Sequence, residues 1–349
     1  MSILIQGVRA IDPSCGINTI TDVYIEGTNV TIVAPNIKVS ASVVIDGTGK
    51  LLIPGLIDIH AHLREPGREH KETIQTGGRA AAVGGFTSVC CMPNTLPALD
   101  SLETMAYVQH KALRSPVRIF PIAAITKGLK GQELTNAFAL RTGGAVAFSD
   151  DGEPVMNTRL LYEALIQSKV HGAPIIVHCE DKFLSENGVM HEGEVSCSLG
   201  LPGIPAIAEE SMIARDIALA QASKGHLHIA HVSTALGVSL IRQAKLAGIK
   251  LTAEVTPHHL TMTVDMVSSH SSLTKVNPPL RTKHDVQALR EAIITGTIDC
   301  IATDHAPHSQ EEKSMSYLQA PFGISGLETA FPMLMTELVL RGILSLEKL

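Results

Sequence analysis

Eight short apolar runs, each followed by a stretch with helical spacing, set the limits on what this chain can fold into: "GLIDIHAH", "FTSVCCMPN", "VRIFPIAAI", "GAVAFSDD", "APIIVHCED", "HLHIAHVS", "IKLTAEVTP" and "DCIATDHAP". The runs are continuously apolar rather than alternating, the pattern of strands buried on both faces. Segments such as "TRLLYEALIQSKVHG" supply the crossover helices that parallel strands require. The sequence therefore predicts an α/β fold in which residues 54–349 form a (β/α)8 barrel of the TIM type.

A chain of 349 residues, 45% hydrophobic and 18% charged, has room for one such unit and a small accessory piece. Residues 1–53 carry the accessory signal. "DVYIEG", "NVTIVA" and "SVVIDG" alternate in polarity between Gly, Pro and Asn breaks, predicting a small β domain, with "GKLLIPG" as the crossing point. The net charge of −6 comes from 28 basic and 34 acidic residues without a basic run, which argues against a nucleic-acid surface and leaves a small molecule as the partner. Ala80 to Leu99 carries no charge, but Gly84, Gly85, Pro93, Asn94 and Pro97 break it, so it reads as a helix end, a turn and a buried strand rather than a membrane span. Six cysteines without CxxC spacing, and no leader pattern, predict reduced thiols in a cytoplasmic protein.

In "LIDIHAHLREPG", His60, His62 and Arg64 stand two apart, so a regular strand sends them to one side. His178, His231 and Asp304 each lie at the end of their own run, where the chemistry of a barrel sits. Two imidazoles on one strand are a bidentate site for zinc. Four buried imidazoles facing one another without a cation would be hard to satisfy. Two metals about 3.5–4 Å apart need a bridging ligand. Many barrel hydrolases use a carboxylated lysine, but the fourth run contains none and ends in Asp150 and Asp151. Either can bridge, and strand alternation does not choose between them. Asp304 can touch a metal and carry a proton from metal-bound water, whose pKa falls from about 15.7 to about 7. Arg64 suits a substrate carboxylate, against the plain alternative of a salt bridge to Glu65 or Asp58, and Asn94 adds an amide. On residue type alone Asn277, His308 and "PFG" at 321–323 read as ordinary loop chemistry.

Taken in order, "IPGLIDIHAHLREPG", "GGFTSVCCMPNT", "AFSDDG", "VHCED", "IAHVST", "VTPHHL", "KVNPPLR", "ATDHAPH" and "APFGISGLETA" span nearly the whole chain. With them the sequence resembles the bacterial type I dihydroorotases of the amidohydrolase superfamily. D-x-H-x-H marks only the superfamily; H-x-R-x-P-G with M-P-N-T and the lysine-free "FSDDG" is far more specific. The resemblance implies two zinc ions per subunit, one on His60 and His62, the other on His178 and His231. They would be bridged by Asp151 rather than by a carboxylated lysine, and Asp304 would bind the first zinc and act as general acid/base. It also implies substrate contacts from Arg64, Asn94, Asn277, His308 and the Phe322–Gly323 backbone, with His62 and Leu63 adjoining. The implied reaction is reversible hydrolysis of (S)-dihydroorotate to N-carbamoyl-L-aspartate in pyrimidine biosynthesis. A homodimer and association with aspartate carbamoyltransferase come with the same family. Its members continue well past a segment like "GILSLEKL", with elements that complete a β-sandwich-like accessory domain, so here that domain is expected to be incomplete at the C-terminal side.

Two rivals differ in ways the sequence can register. Hydantoinases, dihydropyrimidinases and allantoinases typically use a lysine bridge and lack the pairing of H-x-R with M-P-N-T. A non-catalytic relative that only scaffolds aspartate carbamoyltransferase would have lost metal ligands, whereas all six are present.

Overall fold

A computed structural model describes residues 1–269 and 271–349. The chain divides into two compact units, Met1–Leu56 with Leu338–Leu349, and Ile57–Glu337. The last segment, which the sequence reading assigns to the larger unit, groups with the small one, where the Asn18 side-chain amide donates to the Glu347 carboxylate.

The small unit holds one mixed sheet of five strands: β1 (Ser2–Asp12), β2 (Ile17–Glu26), β3 (Asn29–Ala34), β4 (Val43–Asp46) and β5 (Leu51–Leu52). β1 and β2 pair antiparallel, while β4 and β5 run parallel to β1. The register of β1 slips between Ile5 and Val8, where Gly7 takes φ +64° and donates its N–H to Asp22. Such a bulge needs a residue free of the Cβ penalty. The described residues form one sheet here rather than the two stacked sheets of a sandwich.

In the larger unit each of the eight apolar runs contains a strand: β6 (Leu56–Ala61), β7 (Phe86–Cys91), β8 (Arg118–Pro121), β9 (Phe148–Ser149), β10 (Ile175–Val177), then, after the short pair β11 (Met190–His191) and β12 (Gly203–Ile204), β13 (Leu227–Ile229), β14 (Leu251–Val255) and β15 (Cys300–Ile301). Helices separate them, the longest Ile207–Ser223. Capping boxes start the helices Ile74–Val83 at Thr73 and Lys283–Thr295 at Thr282, satisfying N–H groups that have no partner within the helix. β6, β7 and β8 form one sheet, and β9, β10, β13, β14 and β15 a second, with every recorded pair in the second parallel. Single parallel bridges join their edges, Ala123 to Phe148 and Ala61 to His305. Met92, Ile122, Ala147, Ile176 and Ala230, from five successive strand regions, pack as one buried cluster. At about 1.5–3 kcal/mol for each fully buried larger side chain, this contact favours the observed neighbour order of these strands.

Candidate metal centre and pocket

The predicted residues gather at the carboxyl ends of the parallel strands. His60 is in β6 and His62 just beyond it; Asp151, His178, His231 and Asp304 follow β9, β10, β13 and β15 within three residues. Arg64, His231 and Asp304 have φ of 62°, 33° and 46°, in the left-handed region that side chains other than glycine rarely adopt. Backbone bends of this kind cost about 1–3 kcal/mol each and collect at functional sites.

Asp151 stands between the two histidine pairs. Its Oδ2 lies 3.5 Å from His60 Nε2 and 3.3 Å from His62 Nε2; its Oδ1 lies 3.7 Å from His178 Nδ1 and 3.4 Å from His231 Nε2. Two ligands each about 2.0–2.1 Å from a tetrahedral zinc lie about 3.3 Å apart, close to these separations. His60, His62 and Asp151 form one group able to hold a metal ion, and Asp151, His178 and His231 a second. The donor set also leaves atoms unsatisfied: buried His60 Nε2 and Asp151 Oδ1 have no hydrogen-bond partner among the described residues. Buried polar atoms without partners are costly, and a cation shared by these donors removes the deficit. Asp304 adds its Oδ1 at 3.0 Å from His62 Nε2 and 3.5 Å from His60 Nε2.

The charge pattern points the same way. Burial opposes a charge on His60, yet the carboxylates of Glu254 and then Asp151 hold its pKa well above the ordinary imidazole value. Burial would raise Asp151 and Asp304, but the surrounding imidazoles keep both below the usual carboxylate range. The buried carboxylates thus favour positive charge at this cluster, which a shared cation would supply in place of a proton on His60.

Three of the four imidazoles are oriented from behind, as metal-binding histidines are. Glu254 Oε1 lies 2.5 Å from His60 Nδ1, and its Oε2 lies 3.1 Å from His228 Nε2. Asn94 Oδ1 accepts from His62 Nδ1 at 2.8 Å, and Glu180 Oε2 lies 2.9 Å from His178 Nε2. Neither Glu254 nor Glu180 was picked out from the sequence. A lone glutamate inside the apolar "LTAEV" strand was the available signal for the first.

Asp150, the alternative to Asp151, faces away from the cluster. Its Oδ1 accepts from the N–H groups of Ile125 and Thr126 at 2.8 and 3.0 Å, and its Oδ2 from the Thr126 hydroxyl. Burial pushes its pKa up to about 6. Asp58 likewise works inside the fold, accepting from Thr303 N at 3.0 Å and Thr303 Oγ1 at 2.5 Å.

A cavity of about 440 Å3 opens over the cluster, lined in part by His62, Arg64, Asn94, Asn277, Phe322 and Gly323. Arg64 is not spent on the salt bridges weighed above, since Glu65 pairs with Lys111 and Asp58 with Thr303. Its Nε donates to Pro307 O at 3.1 Å, and burial pulls its pKa down to about 10. Asn277 Nδ2 donates to Glu180 Oε2 at 3.0 Å. His308 is not among the lining residues; it sits beside Arg64 and Lys71, 2.7 Å from Phe322 O. Leu63 is buried against the helix Ile74–Val83, where a Cβ on Gly77 would meet its Cδ2. Among the described residues no helix is long and apolar enough to cross a membrane, and the stretch 80–99 is a helix end, a turn and β7, as read from its Gly and Pro breaks.

Residues 49–236 match the model of the family described as Dihydro-orotase-like. The chain is 52% identical over 345 residues to a dihydroorotase of Pelotomaculum thermopropionicum, covering 99% of this chain and 81% of that protein. The chain belongs to the dihydroorotase family. A second dihydroorotase, from Endomicrobium trichonymphae, is 50% identical over 349 residues, covering 100% of this chain and 82% of its own. Among solved structures, an L-hydantoinase (dihydropyrimidinase) from Arthrobacter aurescens superposes with a TM-score of 0.86 at 25% identity, over 99% of this chain and 79% of that one. A dihydropyrimidinase from Brevibacillus agri shares the fold with a TM-score of 0.84 at 24% identity, over 100% and 79%. The dihydroorotase family and its hydantoinase-like structural neighbours are both cyclic amidohydrolases, and this chain is an α/β enzyme of that kind with grouped histidines and aspartates able to bind metal.

Proposed function

We propose that this chain is a dihydroorotase, reversibly hydrolysing (S)-dihydroorotate to N-carbamoyl-L-aspartate in pyrimidine biosynthesis. The observation that carries the reading is a single carboxylate, Asp151, shared between two histidine pairs beneath a cavity that also presents Arg64. Relatives named dihydroorotase at about half identity support the substrate class.

We read the eight strands β6 to β10 and β13 to β15 as a (β/α)8 barrel, with residues 1–53 as its β accessory domain. We assign two zinc ions per subunit, one to His60 and His62 and the other to His178 and His231, with Asp151 between them and Asp304 beside the first. When bound, the metals supply Lewis acidity toward the ring carbonyl and toward water. Arg64 pairs its guanidinium with the substrate carboxylate and fixes the ring's orientation, aided by Asn94, Asn277 and His308. The Phe322–Gly323 backbone walls the ring, with His62 and Leu63 adjoining. Asp304 accepts a proton as a water oxygen bonds to the ring carbonyl carbon. As the carbon–nitrogen bond breaks, Asp304 delivers that proton to the departing ring nitrogen; in reverse the same carboxylate assists ring closure. The reading carries a cytoplasmic location, a homodimer and association with aspartate carbamoyltransferase, the last two testable by sedimentation of the mixed proteins.

The deciding experiment measures turnover of dihydroorotate, hydantoin and allantoin, with metal analysis on the same sample. Dihydroorotate should be preferred and lost in Asp304→Asn. Preference for hydantoin would move the assignment to a hydantoinase, and a metal-free protein indifferent to Asp304→Asn would move it to a scaffold.

A further inference from the structure

The segment 313–323 after β15 reaches the cavity only at its end, through Phe322 and Gly323. Two lysine ammonium groups hold this segment. Lys275, two residues before Asn277 and only 2% exposed, donates from Nζ to Tyr317 O at 2.7 Å and to Leu318 O at 3.0 Å. The same ammonium lies 4.7 Å from the centre of the Phe322 ring and 5.7 Å from that of Tyr317. Lys275 also takes up the Gly323 N–H with its own carbonyl at 2.9 Å. Lys313 Nζ reaches back from the other end, donating to Pro321 O at 3.0 Å and Gly323 O at 2.9 Å.

A buried ammonium is costly unless its charge is answered, and among the described residues neither lysine makes an ion pair. What answers it is a set of backbone carbonyls that lie outside any strand or helix, together with two aromatic faces. An apolar side chain would fill the space as well but would leave those carbonyls unmet. Position 323 admits no side chain, because its φ is +120° and a Cβ there would stand 2.7 Å from Ala306 O, so the free backbone of Gly323 has to be held by its neighbours.

We infer that Lys275 and Lys313 are positioning residues, tethering residues 317–323 through their ammonium groups so that the Phe322–Gly323 backbone forms a fixed wall of the substrate cavity. The inference rests on the dihydroorotase reading only for the identity of what meets that wall. Lys275→Met keeps an unbranched stem out to Cε and removes the ammonium. Its KM for dihydroorotate should rise about tenfold, since bonds from a charged donor are lost, while kcat stays within about twofold. Amide exchange followed by mass spectrometry should quicken across 317–323 and nowhere in β6 to β10. Lys275→Arg, which can still serve two carbonyls, should restore slow exchange and a low KM. Lys313→Gln, at a less buried position, should give the same pattern and decides the question should Lys275→Met fail to fold. Unchanged exchange and KM in the folded variants would overturn the tether, as would a fall in kcat with KM unmoved. Exchange needs no turnover, so a wild type inert toward dihydroorotate would sink the assigned reaction and leave the tether to be judged by exchange alone.

Discussion

Replacing Glu254 by glutamine tests how the proposed first metal site is built. Glu254 is fully buried, 2.5 Å from His60 Nδ1 on one oxygen and 3.1 Å from His228 Nε2 on the other. Burial would raise its pKa, but His60 and His228 hold it down at about 2, so it meets His60 as a carboxylate. That charge draws the imidazole proton to Nδ1 and leaves Nε2 as the more basic lone pair facing Asp151. Glutamine keeps an oxygen for His60 and can turn its amide toward His228, whose other nitrogen lies 2.8 Å from the Thr252 hydroxyl. The variant should therefore fold, with the charge gone. Outer residues of this type are worth about 10–100-fold in metal affinity, or about 1.4–2.7 kcal/mol. Metal-free protein titrated with zinc against a chromophoric chelator should show one of two affinities weakened by that factor. Equal weakening at both sites, or a change under twofold, would refute the argument that Glu254 acts through His60.

Three further outcomes follow from the same geometry. Asp151→Asn should lose bound metal, whereas Asp150→Ala should keep its metal content and lose stability in urea, because the Asp150 carboxylate holds the Ile125 and Thr126 backbone rather than the cluster. Arg281→Met should cost about 3–5 kcal/mol in urea unfolding by leaving Glu209 buried without its partner at 3.2 Å, and adding Glu209→Gln should recover part of the loss. Burial and then Arg281 hold His191 at about 4 against an ordinary 6.5. As pH falls from 6.5 toward 4 the unfolded chain takes up a proton the folded chain refuses, so stability present above 6.5 is lost across that window. His191→Gln should flatten the decline of urea midpoints between those pH values.

The strands and the histidines were legible because both follow local rules: continuous apolar runs for buried parallel strands, and alternation for His60 and His62. Alternation failed to separate Asp150 from Asp151 because β9 ends at Ser149, and the two aspartates lie in the turn beyond it, with Asp151 N bonded to Ser149 Oγ at 3.0 Å. Glu254 went unnoticed since its role depends on partners 194 and 26 residues away. The grouping of Leu338–Leu349 with the small unit is likewise a matter of distant contacts, to which no local pattern in "GILSLEKL" corresponds.

The left-handed backbone at Arg64, His231 and Asp304 sets two selection pressures against each other. At each position a glycine or asparagine would relieve the main chain, so a library sorted by heat resistance alone should drift toward those residues and become inert as it toughens. Improving the durability of this enzyme without harming it therefore means working elsewhere, on helix surfaces and in the small β unit, and leaving three uncomfortable residues as they are.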